Sequence, residues 1–154
     1  MKSCAVIFFL LVILNSCFLF SKYKRIDFTY NEGSQLRSVP VVVPKGFTKE
    51  KTEVDSSGNT ILSYSYDGNA FFYIAHMADS SVHIQPIAEE DNIPRIALTT
   101  GAIIYKGVDA DNLLWKEVRQ NDLRVGYRFV SKDLESRFDS ATNYAVVHLL
   151  KIHQ

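Results

Sequence analysis

Cysteine is almost missing from this chain: Cys4 and Cys17 are the only two in 154 residues. Both lie near the start, so no disulfide can staple the rest. The remainder must be held by its core. A surplus of charge is missing too, because 17 basic residues balance 17 acidic ones. That balance argues against nucleic acid as a partner, since phosphate binding needs a basic excess. Repeats, coiled-coil heptads and low-complexity tracts are absent. So are G-x-S-x-G, the P-loop, G-x-G-x-x-G after a strand, and C-x-x-C. No motif calls for a cofactor or a metal.

Apolar residues are plentiful, at 47% of the chain, and unevenly placed. Ala5 to Leu14 are all apolar, with Lys2 the only charge before them and Lys22 the first after. A positive start and a short apolar run have the layout of a secretory signal. Cleavage after Ser16 by the ordinary route would put bulky Leu14 at the −3 position, where a small side chain is wanted. The tetrapeptide Leu14-Asn15-Ser16-Cys17 instead resembles the lipobox of bacterial lipoproteins. That resemblance implies that Cys17 is acylated and becomes the mature N-terminus. It implies a signal peptide at 1–16, a lipid-anchored tether at 17–25 and one globular domain at 26–154. The location implied is the bacterial cell envelope, membrane-anchored and facing the periplasm, where another envelope protein is a possible partner. The alternative is an uncleaved membrane helix over Cys4–Phe20, at the short end of the spanning range. Lys22, Lys24 and Arg25 would then hold the domain on the cytoplasmic side.

Downstream, strand patterns dominate. A strand is expected near Ile26–Tyr30, closed by Asn31-Glu32-Gly33-Ser34. The run Val39–Val43, with Pro40 inside it and Pro44 after it, reads as an edge strand, because proline donates no ladder hydrogen bond. Two hairpins stand out. In the first, Ile61–Tyr66 and Asn69–Ala75 flank Asp67-Gly68, which suits a two-residue type I′ turn pairing Tyr64 with Phe71 and Leu62 with Tyr73. In the second, Leu113–Gln120 and Leu123–Val130 flank Asn121-Asp122. Shorter strands are expected near Thr52–Asp55, Val82–Ile87 and Ala102–Lys106, and a helical turn over Ala88–Pro94. At the C-terminus, Phe138, Ala141, Ala145, Leu149 and Ile152 share one helical face, and Ser136 and Asp139 have capping-box spacing. The fold class is therefore α+β, mainly antiparallel β-sheet with a C-terminal helix packed on one face.

Few residues suggest chemistry. His76, Asp79 and His83 are close in sequence but lack a partner set for a metal, so solvated or core-edge histidines are the plainer reading. Glu89-Glu90-Asp91 and Asp109/Asp111 read as loop acids. Tyr64, Tyr66, Phe71, Phe72 and Tyr73 read as core. The second hairpin is the most specific feature. Alternation puts Leu114, Val118, Leu123, Val125, Tyr127 and Phe129 on an apolar face. The opposite face carries Trp115, Glu117, Arg119, Arg124, Gly126 and Arg128, and is expected in water. There Trp115 should stack on Arg128, Arg119 should oppose Arg124 with Glu117 between them, and Gly126 should leave open space. Trp115, Glu117, Arg119, Arg124 and Arg128 thus form a candidate binding surface for an anion or a protein. The functional expectation is a lipid-anchored, non-catalytic binding or assembly module. The alternatives are a small membrane-tethered hydrolase, and a cytoplasm-facing domain on an uncleaved helix.

Overall fold

The computed structural model describes residues 22–78, 95–98 and 101–152. Cys17 and the segment around it, Asp79, His83, Glu89-Glu90-Asp91 and the elements expected at Val82–Ile87 and Ala88–Pro94 lie outside those residues. Nine strands and one helix are described. Strands β1 (Tyr23–Glu32) and β2 (Gln35–Pro44) form a two-stranded antiparallel hairpin. Strands β3 (Lys49–Val54), β4 (Thr60–Ser65), β5 (Phe71–His76), β6 (Arg95–Ala97), β7 (Ile103–Val108), β8 (Leu114–Gln120) and β9 (Leu123–Val130) form a seven-stranded sheet. Its order is β3-β4-β5-β9-β8-β7-β6, antiparallel throughout. Helix α1 (Glu135–Ile152) follows. The fold is α+β, with the C-terminal helix packed against the sheet.

The core lies between that sheet and a second layer made by the hairpin and the helix. Alternation supplies it. Val39, Val41 and Val43 of β2 point inward with Phe28 and Tyr30 of β1, and meet Leu62, Tyr64, Phe72 and Ile74 of the sheet. Phe138, Ala141 and Ala145 recur at helical spacing and are buried in the same core. Burying one ring the size of Phe138 contributes roughly 1.5–3 kcal/mol. Thr142 is also buried, and its hydroxyl donates to the Phe138 carbonyl at 3.0 Å, so the helix itself satisfies a β-branched polar residue. Pro40 is tolerated because β2 pairs only with β1. Within the second layer, Arg137 ties the helix to the ends of the hairpin by donating to the backbone carbonyls of Lys22 and Lys45. Among the described residues no helix is long and apolar enough to cross a membrane.

The second hairpin has the expected register, with Gln120 opposite Leu123 and the Asn121 backbone left-handed at φ 50°. Four expectations need correction. The first strand starts at Tyr23, three residues before the expected Ile26. In the first hairpin Tyr64 pairs with Phe72, and Leu62 with Ile74, one residue out from the two-residue turn. Asp67–Asn69 forms a three-residue 3-10 turn, closed by a Tyr66 N–H to Ala70 carbonyl bond of 2.8 Å. Gly68 and Asn69 both take positive φ there, a backbone region that glycine and asparagine tolerate. The extra residue moves each side chain of β5 to the other face relative to β4.

The third correction concerns Phe129. A register shift between Leu114 and Lys116 sets Val130, not Phe129, opposite Leu114. Phe129 sits at φ 56° and is 39% exposed, while Val130 takes the core position. The extra residue of the bulge reverses the alternation from that point on. Last, Asp139 does not close a capping box. The helix begins at Glu135, and the Asp139 carboxylate accepts from Lys116 and Tyr127 of the sheet.

Candidate functional site

The arginine face of β8 and β9 is real but is not in water. Glu117 is 1% exposed, Arg124 6% and Arg128 4%. One row of the sheet runs Tyr105, Glu117, Gly126, Tyr73 across four strands. Gly126 is the key to it. A Cβ there would lie 2.3 Å from the Lys116 carbonyl oxygen and 2.9 Å from the Tyr73 hydroxyl. The space expected beside Glu117 is therefore filled by Tyr73, whose phenol reaches across β9 and donates to the Glu117 carboxylate. Arg119 Nε donates to the other carboxylate oxygen, and Arg124 Nη1 lies 3.9 Å from it. Glu117 thus separates the paired Arg119 and Arg124, as the spacing suggested. Arg119 also lies over the Tyr105 ring at 4.5 Å, and Arg128 lies 5.9 Å from the Tyr73 ring centre.

These neighbours set the protonation of the cluster. Burial, and then the Glu117 carboxylate, push the Tyr73 phenol well above its ordinary range, so it remains a donor. Burial, and then the Arg119 charge, lower Arg124. Trp115 stands apart from this network. It faces Gly107 of β7, and a Cβ at Gly107 would meet its ring at 2.8 Å. Trp115 and Arg128 are not ladder partners, because the bulge falls between them. Four of the five candidate residues therefore share one polar face, buried at Glu117, Arg124 and Arg128 and half-buried at Arg119, in which three side chains converge on one carboxylate. The fifth packs on a neighbouring strand.

A second arrangement lies on the opposite, helix-covered side of the sheet, and the sequence reading missed it. There β8 and the first half of α1 flank a cleft of about 340 Å3. Its floor is polar. Lys116 is buried, with Nζ 3.0 Å from Asp139 Oδ1 and 3.2 Å from Asn143 Oδ1. The Tyr127 hydroxyl donates to the same Asp139 oxygen at 2.9 Å. Helical spacing of four residues puts Asp139 and Asn143 on one side of α1. The wall is apolar, built from Ile96, Ile104, Val108 and Leu114. A cleft of this size with a few converging polar groups has the character of a small-ligand site. Its one available sequence signal was Lys116, an isolated charge on a face otherwise read as apolar.

His76 is buried and stacks on Tyr30, with ring centres 4.4 Å apart. Burial lowers its pKa, opposed by the Asp122 and Glu32 charges. Its role in the described structure is to fill the seam between β1 and β5. Asp109 is used locally, accepting from the Asp111 and Leu113 backbone N–H groups at 2.9 Å. Among the described residues no group of three His, Cys, Asp or Glu side chains is placed to hold a metal ion. No family model, no curated protein and no solved structure matches the chain.

Proposed function

We propose that this protein is a lipid-anchored component of a bacterial envelope whose domain is a non-catalytic binding module. The anchor rests on Leu14-Asn15-Ser16-Cys17. Five residues lie between Cys17 and Tyr23, the first residue of β1, which makes six backbone steps. At about 3.4 Å per residue they span at most about 20 Å, so an acylated Cys17 would hold the domain close to the lipid surface. The binding reading is carried by the cleft between β8 and α1, where an apolar wall stands over a polar floor. The floor groups are engaged with one another as an ion pair and hydrogen bonds, which fixes their positions beneath the apolar wall.

Two measurements test this. With an alkyne fatty acid in the growth medium, the wild-type chain should take up label and lose residues 1–16. Cys17→Ser should do neither. A wild-type protein that keeps residues 1–16 and carries no lipid ends the anchor reading. In the second, the native protein is captured from its envelope and whatever it retains is identified. Ile104→Glu, which puts a charge on the cleft wall, should lose that material. Retention unchanged in Ile104→Glu, or nothing retained by the wild type, removes the binding reading.

A further inference from the structure

We infer that the cleft between β8 and α1 is a site for a small amphiphilic monoanion, an aliphatic carboxylate. The inference rests on the binding-module reading and names its ligand class. Three rows of side chains cross the strands on this side of the sheet. Ile96, Ile104 and Val118 form one, and Val108 and Leu114 form another. Between them Lys106 pairs directly with Lys116. Two ammonium groups facing each other across a ladder repel unless an anion lies between them.

Lys116 is answered by Asp139 and Asn143. Lys106 has no ion-pair or hydrogen-bond partner among the described residues, and Glu135 at the helix end of the cleft is taken by Lys132. Among the described residues Lys106 is thus an exposed ammonium without an ion-pair partner, set between two apolar rows. Among the described residues helix α1 packs on β2, β9 and β8, with no comparable packing on β6 or β7. Ile96 is 46% exposed and Val108 57%. With Asp139 already on Lys116, a carboxylate on Lys106 would give the second lysine its own counter-charge, and an alkyl chain would cover the apolar rows. A dianionic phosphate fits less well, because Lys116 and Lys132 are already paired with Asp139 and Glu135 and leave only Lys106 among the described lining lysines to meet its two charges.

The test uses the full chain in lipid nanodiscs and three photoreactive diazirine probes, built on octanoate, octanol and octyl phosphate. Octanoate should label β7 and β8, and free octanoate should compete it away. The octanol probe should label there about tenfold less, the factor a charge-assisted hydrogen bond supplies. Lys106→Gln, a change at an exposed position, should bring octanoate labelling down to the octanol level. Equal labelling by octanol, unchanged labelling in Lys106→Gln, or label confined to other strands would each overturn the inference. Octyl phosphate labelling as strong as octanoate at pH 8 would overturn the monoanion assignment. If octanoate fails while Ile104→Glu still loses the material captured from the envelope, the ligand class is wrong and the binding reading stands. If both fail, the cleft is not a binding site.

Discussion

Lys116 Nζ lies 3.0 Å from Asp139 Oδ1, an ion pair that joins the sheet to the helix. The lysine side chain is buried, while the aspartate remains about one-third exposed. That asymmetry determines what each deletion should do. Asp139→Ala leaves a buried ammonium without its counter-charge and Tyr127 without its acceptor. It should destabilise the domain by roughly 3–5 kcal/mol in urea unfolding. Lys116→Met removes the buried charge and leaves an aspartate that water can reach, so it should cost less than half as much. Equal losses would show that the pair contributes through packing alone.

Glu117→Gln keeps the shape of the buried cluster and removes its negative charge. Arg119 and Arg124 would then face each other across β8 and β9 without a carboxylate between them. The expected loss is about 3–5 kcal/mol, the range seen when one partner of a buried pair is removed. Retention of the wild-type melting temperature would mean that the arginines are screened from elsewhere.

Gly126→Ala and Gly107→Ala should differ in severity. At Gly126 the added methyl meets a backbone carbonyl at 2.3 Å, which cannot move without distorting the β8–β9 ladder. At Gly107 it meets the Trp115 ring, which can turn aside. Gly126→Ala should lose at least about 3 kcal/mol, the upper end for overpacking, and Gly107→Ala about 1 kcal/mol. Tryptophan fluorescence should shift in the second variant only.

His76 should make stability depend on pH. Its folded-state pKa lies below the ordinary value of 6.5 because of burial, with Asp122 and Glu32 pulling the other way. Well above 6.5 the ring is neutral in both states and contributes no slope. As pH falls below 6.5 the unfolded chain takes up the proton first, so stability declines until the lowered folded-state pKa is passed. Thermal midpoints of the wild type should therefore fall further between pH 7 and pH 5 than those of His76→Phe, which keeps a ring against Tyr30. Parallel curves for the two proteins would assign the pH dependence to other groups.

The sequence alone determined the elements whose signals are local. Alternation over Leu123–Val130, the Asn121-Asp122 turn and the 3.6-residue spacing of Phe138, Ala141 and Ala145 specify a strand pair and a helix whatever lies around them. They made the α+β class and the Gln120–Leu123 register legible. Only the tertiary structure decided which faces are buried. Arg124 and Arg128 read as solvent-facing because arginine is rarely buried without a partner. The Glu117 carboxylate that Arg124 approaches also accepts from Tyr73, 44 residues away in sequence and on the far side of a glycine. The one-residue shift of the first hairpin depended on Asn69 adopting positive φ, and the turn of Phe129 to the surface depended on a bulge in the β8–β9 ladder. The Lys106–Lys116 pair and its Asp139 neighbour come together only when β7, β8 and α1 meet. Local periodicity records which way side chains alternate. The partners that make a charge tolerable inside the protein come from strands and helices distant in sequence, and no local pattern encodes them.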